Sequence, residues 1–106
     1  MKFGILGYGY VGKATHKGLL NNTNVIVHDT LLHTERTILK DADTVFVCLP
    51  TETQNQINII IHELQLIQES NSAVTFVVRS TLPLGSCERI QKEVGDIIYI
   101  PEFLRE

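Results

Sequence analysis

Apolar residues along this chain gather into five short runs, with longer stretches between them in which they recur every three or four positions. The runs are Lys2–Leu6 (KFGIL), Asn24–His28 (NVIVH), Thr44–Leu49 (TVFVCL), Ala73–Val78 (AVTFVV) and Ile97–Ile100 (IIYI). Each is rich in Val, Ile or Phe and lacks clean alternation. That is the pattern of strands covered on both faces, as in a parallel sheet. The stretches between them read as helices. Tyr10–Leu20 places Val11, Ala14, Gly18 and Leu19 on one side, and Asn55–Glu69 places Ile57, Ile60, Ile61, Leu64 and Ile67 on one stripe. Ser86–Val94 groups Cys87, Ile90 and Val94, with Ser86 as N-cap and Gly95 as the C-terminal stop. Leu31–Lys40 holds one short helix. Alternating strands and helices predict a Rossmann-like, doubly wound α/β fold: a parallel sheet of about five strands with right-handed crossovers, in the order 3-2-1-4-5.

The unusual residues follow the strands. After the first comes Gly7-Tyr8-Gly9-Tyr10-Val11-Gly12, and after the second Asp29-Thr30. The third is followed by Pro50-Thr51-Glu52-Thr53, the fourth by Arg79-Ser80-Thr81-Leu82-Pro83, and the fifth by Pro101-Glu102-Phe103-Leu104-Arg105-Glu106. In a parallel sheet these points share one edge, and open α/β sheets bind ligands outside the carboxyl ends of their strands.

GYGYVG matches GxGxxG. It follows a strand, opens a helix, and is trailed by Asp29 at the end of the next strand, 22 positions after Gly7. In a dinucleotide site Gly7 allows the tight turn, Gly9 lets the backbone approach a pyrophosphate, and Gly12 lets helix and strand pack closely. The helix N-terminus offers N–H groups to the phosphates. Asp29 accepts hydrogen bonds from a ribose diol and repels a 2′-phosphate, which favours NAD over NADP. A turn that merely needs glycine fits the same pattern, as do the related loops of FAD and S-adenosylmethionine sites.

Composition narrows the field. The chain has 106 residues, 43% of them apolar and 20% charged, with a net charge of -3. One domain is expected, burying roughly 60–70% of its unfolded surface. The acidic balance argues against nucleic-acid or anionic-membrane partners. The apolar runs are too short to span a bilayer, and the N-terminus lacks a signal-peptide profile. Cys48 and Cys87 make no disulfide framework, so a reducing cytoplasm is expected.

In order along the chain, GYGYVG, the strand followed by CLPTET, RSTLPLG and PEFLRE resemble the UDP-glucose/GDP-mannose dehydrogenases. PEFLRE together with STxPxG carries more of the resemblance than the glycine loop does. Those enzymes oxidise the C6 alcohol of a nucleotide sugar to a carboxylate with two NAD. The resemblance implies that Gly7, Gly9, Tyr10, Val11 and Gly12 form the cofactor loop and that Asp29 is the ribose-binding acid. It further implies that Pro50, Thr51 and Thr53 pass along the cofactor, and that Ser80 and Thr81 belong to the element whose threonine positions a catalytic water. Glu102 lies near cofactor and active site, and Glu106 takes part in acid/base work during thioester hydrolysis. A hydroxyl and carboxylates can orient and deprotonate water. Two departures stand out. Lys13, Thr15, His16 and Lys17 occupy positions that are usually apolar in the family. The family's catalytic cysteine, lysine and asparagine lie beyond PEFLRE, in a second half that also binds the sugar nucleotide.

The expectation is therefore a single NAD-binding domain over residues 1–106 that is not catalytically complete alone. Its alternatives are a small assembly module that no longer uses the nucleotide, and a half-enzyme working with a separate catalytic chain. Cys87 shares a stripe with Ile90 and Val94 and reads as core, as does Cys48. His16, His28, His33 and His62 lack ligand spacing, and no metal site is expected. Ile59 and Leu66, seven apart and off the main stripe, are one candidate surface for a homodimer. The apolar fifth strand, at a sheet edge, is the other.

Overall fold

Each apolar run becomes a strand. The structure, a computed structural model, describes residues 2–18, 25–29 and 36–101. In chain order it contains β1 (Phe3–Leu6), α1 (Tyr10–Gly18), β2 (Val25–His28), a 3-10 turn (Arg36–Leu39), β3 (Thr44–Val47), α2 (Gln54–Ser70), β4 (Thr75–Val78), α3 (Ser86–Val94) and β5 (Ile98–Tyr99). The five strands form one parallel sheet in the order β2-β1-β3-β4-β5.

The doubly wound parallel architecture is the expected one, but the strand order is not 3-2-1-4-5. The third strand lies against β1 on the side away from β2. Packing explains the choice. β3 is a continuous apolar run, and between β1 and β4 its Val45 and Val47 are fully buried. The connection that delivers it folds back across β1: a Cβ on Gly4 would lie 2.7 Å from Leu39 Cδ2 and 3.3 Å from the Ala42 methyl. The carbonyl of Lys2 then accepts from the N–H of Asp43 at 2.9 Å, and the Lys2 N–H donates to Asp43 Oδ2 at 2.7 Å, which sets the start of β3 beside the start of β1. β2, with three of its four residues only half-buried, is left at the edge. β5 forms the other edge, as expected.

One face of the sheet carries the main core. Leu6, Val45, Val47, Phe76 and Val78 pack with Ile57, Ile60, Leu64 and Ile67 of α2 and with Ile90 of α3. Full burial of such a side chain stabilises the fold by roughly 1.5–3 kcal/mol relative to exposure. The α2 stripe is the one the periodicity predicts, with Ile57, Ile60, Ile61, Leu64 and Ile67 all buried. α2 starts at a capping box: Thr53 accepts from the N–H of Gln56, and the Gln56 side chain accepts from the N–H of Thr53, both at 3.1 Å.

The opposite face is covered by α1. Cys48 lies 3.8 Å from Thr15 of that helix, and the rings of Phe3 and Phe46 sit 5.9 Å apart. Among the described side chains of α1 the buried positions are Gly12 and Thr15, flanked by half-buried Val11 and Ala14. Gly18 is exposed, and Leu19 lies outside the described residues. The Thr15 hydroxyl is accommodated because it donates to the Val11 carbonyl at 2.9 Å, within its own helix.

In α3 the N-cap is Gly85, in the left-handed region at φ 83°, not Ser86. Ser86 is instead the first residue of the buried stripe Ser86, Ile90, Val94. Its Oγ is buried with no hydrogen-bond partner among the described residues. Cys87 is half-buried, off that stripe by one position. Gly95 ends the helix as expected, at φ 103° with its N–H on the Gln91 carbonyl.

Candidate functional site

The parallel register brings the strand ends level. Leu6 pairs with His28 and with Val47, Val47 with Val78, and Val78 with Tyr99. Residues 7–9, 29, 48–53, 79–83 and 100–101 therefore line one edge, and hydrogen bonds tie neighbouring loops together. The Gly7 N–H donates to the His28 carbonyl (2.9 Å), the Cys48 N–H to Leu6 (2.8 Å) and the Arg79 N–H to Val47 (2.9 Å). Ser80 Oγ donates to the Leu49 carbonyl (2.7 Å), Thr51 Oγ1 to the Thr81 carbonyl (2.5 Å), and Arg79 Nη1 to the Ile100 carbonyl (3.1 Å). In this strand order the direction of winding reverses between β1 and β3, which is where such sheets open a ligand crevice.

The glycine loop stands at that point. Gly7 turns the chain at φ 94°, in the region that favours glycine. A Cβ on Gly12 would fall 2.1 Å from the Gly7 carbonyl oxygen, so the helix presses directly on the turn. Gly9 is exposed, and a Cβ there would meet nothing within 4 Å. The loop is thus tight where helix meets strand and open at its tip. Tyr10 begins α1, and Val11 is half-buried.

Asp29 is bound to this loop. Its Oδ2 accepts the backbone N–H of Tyr8 at 2.5 Å, so the acid at the end of β2 and the turn after β1 form one unit. Spacing alone does not reveal this bond. It fixes the carboxylate beside the loop. Beyond Asp29 lies a cleft of about 300 Å³, with apolar walls from Leu6, Leu49, Pro50 and Ile59 and polar groups from His28, Asp29 and Glu63. Ile59, which the sequence pairs with Leu66 as an outward-facing residue, is a wall of this cleft. Leu66 is half-buried. No sequence motif marks Glu63 as a site residue, although its place one turn after Ile59 puts both on one face of α2.

Other sequence-identified residues fall around the same edge in different capacities. Pro50 lines the cleft. Thr51 bridges to the loop after β4, while the Thr53 hydroxyl is engaged in capping α2. Ser80 is buried as a strut, and Thr81 is exposed next to it. Glu102 and Glu106 lie outside the described residues. Of the polar residues that depart from the family pattern, Lys13 and Lys17 are exposed. His16 is half-buried, with Nδ1 2.8 Å from the Tyr8 hydroxyl and its ring edge-on to that of Tyr8. Lys13 Nζ stands 6.0 Å from the Tyr8 ring centre. These contacts hold the Tyr8 side chain onto α1.

Cys48 is a buried thiol. Burial pushes its thiol up to about 11, with the Thr15 hydrogen bond and the Arg79 charge offsetting part of that rise. A thiol must ionise to attack. Among the described residues no group of three or more His, Cys, Asp or Glu side chains is placed to hold a metal ion, and no helix is long and apolar enough to cross a membrane.

Fold and edge together define a doubly wound α/β protein with a glycine loop and an acid at its switch point. No family model matches the chain. It is 32% identical over 73 residues to the UDP-glucose 6-dehydrogenase of Campylobacter jejuni subsp. jejuni serotype O:2, a similarity covering 62% of this chain and 19% of that protein. The chain thus spans less than a fifth of that relative. Among solved structures, the CheY-like protein tadZ of Pseudomonas aeruginosa PAO1 superposes with a TM-score of 0.66 over 99% of this chain and 90% of that one. At 10% identity that likeness is one of fold.

Proposed function

We propose that this chain is a dinucleotide-binding unit that takes NAD, of the kind found in nucleotide-sugar 6-dehydrogenases. The observation that carries the reading is the bond from the Tyr8 N–H to Asp29 Oδ2, which holds the Asp29 carboxylate against an open glycine loop at the switch point. The pyrophosphate meets the Gly9–Tyr10 turn and the first N–H groups of α1, and the adenosine ribose meets Asp29. Pro50, Thr51 and the Ser80–Thr81 segment follow the cofactor along the edge. Thr53 contributes by fixing the start of α2. Similarity to a UDP-glucose 6-dehydrogenase supports the same class. On this reading a nucleotide sugar is the substrate class of the whole reaction, and Thr81, Glu102 and Glu106 are the residues proposed to handle water. Titrating the protein into NADH and following nicotinamide fluorescence tests the reading, and a signal that never saturates contradicts it.

A second reading rests on the β5 edge, where Ile98 and Ile100 are about half exposed. An uncovered apolar edge favours strand pairing with another chain. Sedimentation distinguishes the two: a dimer that ignores NADH and dissociates on Ile98→Lys favours the assembly reading, and a monomer removes it.

A further inference from the structure

We infer that the Tyr99 hydroxyl is a positioning group for the nicotinamide half of the cofactor, acting through Thr81. The inference rests on the NAD reading above and adds to it a residue that neither the glycine motif nor the family resemblance assigns. The sheet sets the direction. Asp29 follows the edge strand β2, and the glycine loop follows β1 next to it. A dinucleotide whose adenosine ribose meets Asp29 and whose phosphates meet the loop has its other half left to run towards the loops after β3 and β4. The segment Ser80-Thr81-Leu82 stands there, and Thr81 is its exposed member.

The peptide group between Thr81 and Leu82 is clamped at both ends. Its carbonyl accepts from Thr51 Oγ1 at 2.5 Å, and its N–H donates to the Tyr99 hydroxyl oxygen at 2.7 Å. A peptide group is planar, so holding both of its polar ends fixes the chain rotation on either side, at Thr81 ψ and Leu82 φ. Just before Thr81, Ser80 Oγ is anchored on the Leu49 carbonyl at 2.7 Å. Just after Leu82, the ring of Pro83 restricts the chain further. Tyr99 can reach Leu82 because it pairs with Val78, the last residue of β4, from a strand of only two residues. The short edge strand thereby sets the shape of a loop at the site. Phenylalanine in place of Tyr99 keeps the ring and removes only the acceptor.

The test uses the full chain with NADH and with ADP, which carries the adenosine and both phosphates but no nicotinamide riboside. Calorimetry measures both affinities. Wild type should bind NADH more tightly than ADP. Tyr99→Phe should weaken NADH binding by about five- to tenfold and ADP binding by less than about twofold, the scale of one lost hydrogen bond felt by one half of the ligand. Thr51→Val, which releases the other end of the same peptide group, should give the same pattern. So should Thr81→Ala, and adding Tyr99→Phe to it should cost nothing more, as for two residues acting through one contact. A role confined to stability lowers the melting temperature and leaves the ratio of the two affinities as in wild type, which overturns the inference. A loss on Tyr99→Phe that adds in full to that of Thr81→Ala also overturns it, as does a wild type that gains nothing over ADP. The NAD reading survives each of these three outcomes. Failure of NADH itself to bind wild type overturns both.

Discussion

The backbone N–H of Tyr8 donates to Oδ2 of Asp29 at 2.5 Å, which joins the turn after the first strand to the acid after the second. Asp29 therefore has two tasks, holding the loop and, in the proposed complex, binding the ribose. Asp29→Ala should weaken NADH binding by about 1–3 kcal/mol, the scale of lost charge-assisted hydrogen bonds. Asp29→Asn, whose carbonyl can still accept from Tyr8, should lose less. The Kd values of the three proteins, taken from the same fluorescence titration, check the order.

The glycines separate folding from binding. Gly12→Ala drives a methyl into the Gly7 carbonyl, a backbone group that cannot swing away, and should cost at least about 1–3 kcal/mol of stability. Gly9→Ala meets open space and should stay within about 0.5 kcal/mol of wild type. It should nevertheless weaken NADH binding, because the methyl occupies the approach to the phosphates. Urea unfolding together with ligand titration on both variants resolves the two effects.

Ser86 carries a hydroxyl that is buried and has no partner among the described residues. Removing such a group does not uncouple a hydrogen bond. Ser86→Ala should be neutral or should stabilise by up to about 1 kcal/mol, against the usual destabilisation by core substitutions. A shift of the urea midpoint to higher concentration is the expected sign.

The two cysteines should differ in reactivity. A thiol reagent on the native protein should label Cys87 readily and reach Cys48 only on unfolding, since Cys48 is buried and its pKa is pushed up to about 11. The linkage has a definite sign. The folded state keeps the Cys48 proton longer than the unfolded chain, whose thiol titrates at its ordinary value of 9.0. The stability this contributes is complete below that value and is lost as pH rises towards about 11. Between pH values of about 8 and about 10.5, wild type should lose on the order of 2 kcal/mol more than Cys48→Ala.

Strands and the long helix are legible because burial imposes a period on the sequence that local inspection can see. Their arrangement is not. Whether β3 lies beyond β2 or beyond β1 is decided by Leu39 and Ala42 packing over Gly4, a contact between distant segments that leaves no local period. The inward face of α1 departs from its apolar stripe for a related reason. Its closest contact is made by Gly12, whose lack of a side chain is what permits that approach, so a search for apolar side chains passes over it. Residue type points to Ser86 as the N-cap of α3, whereas the left-handed backbone at Gly85 sets the start of that helix. Thr53-Gln54-Asn55-Gln56, by contrast, carries the capping-box spacing openly. In the site, Gly7, Gly9, Gly12 and Asp29 can be read from spacing. Ile59 and Glu63 cannot, because a cleft wall contributed by a helix emerges only once that helix is docked.

The most direct test of the central claim is a paired titration of wild-type protein with NADH and with NADPH, read by nicotinamide fluorescence. Saturable NADH binding and clearly weaker NADPH binding are predicted, since the 2′-phosphate would meet Asp29. No saturation by NADH up to about 1 mM, which corresponds to less than about 4 kcal/mol of binding free energy, would contradict the claim. NADPH binding as tight as NADH binding would do so as well.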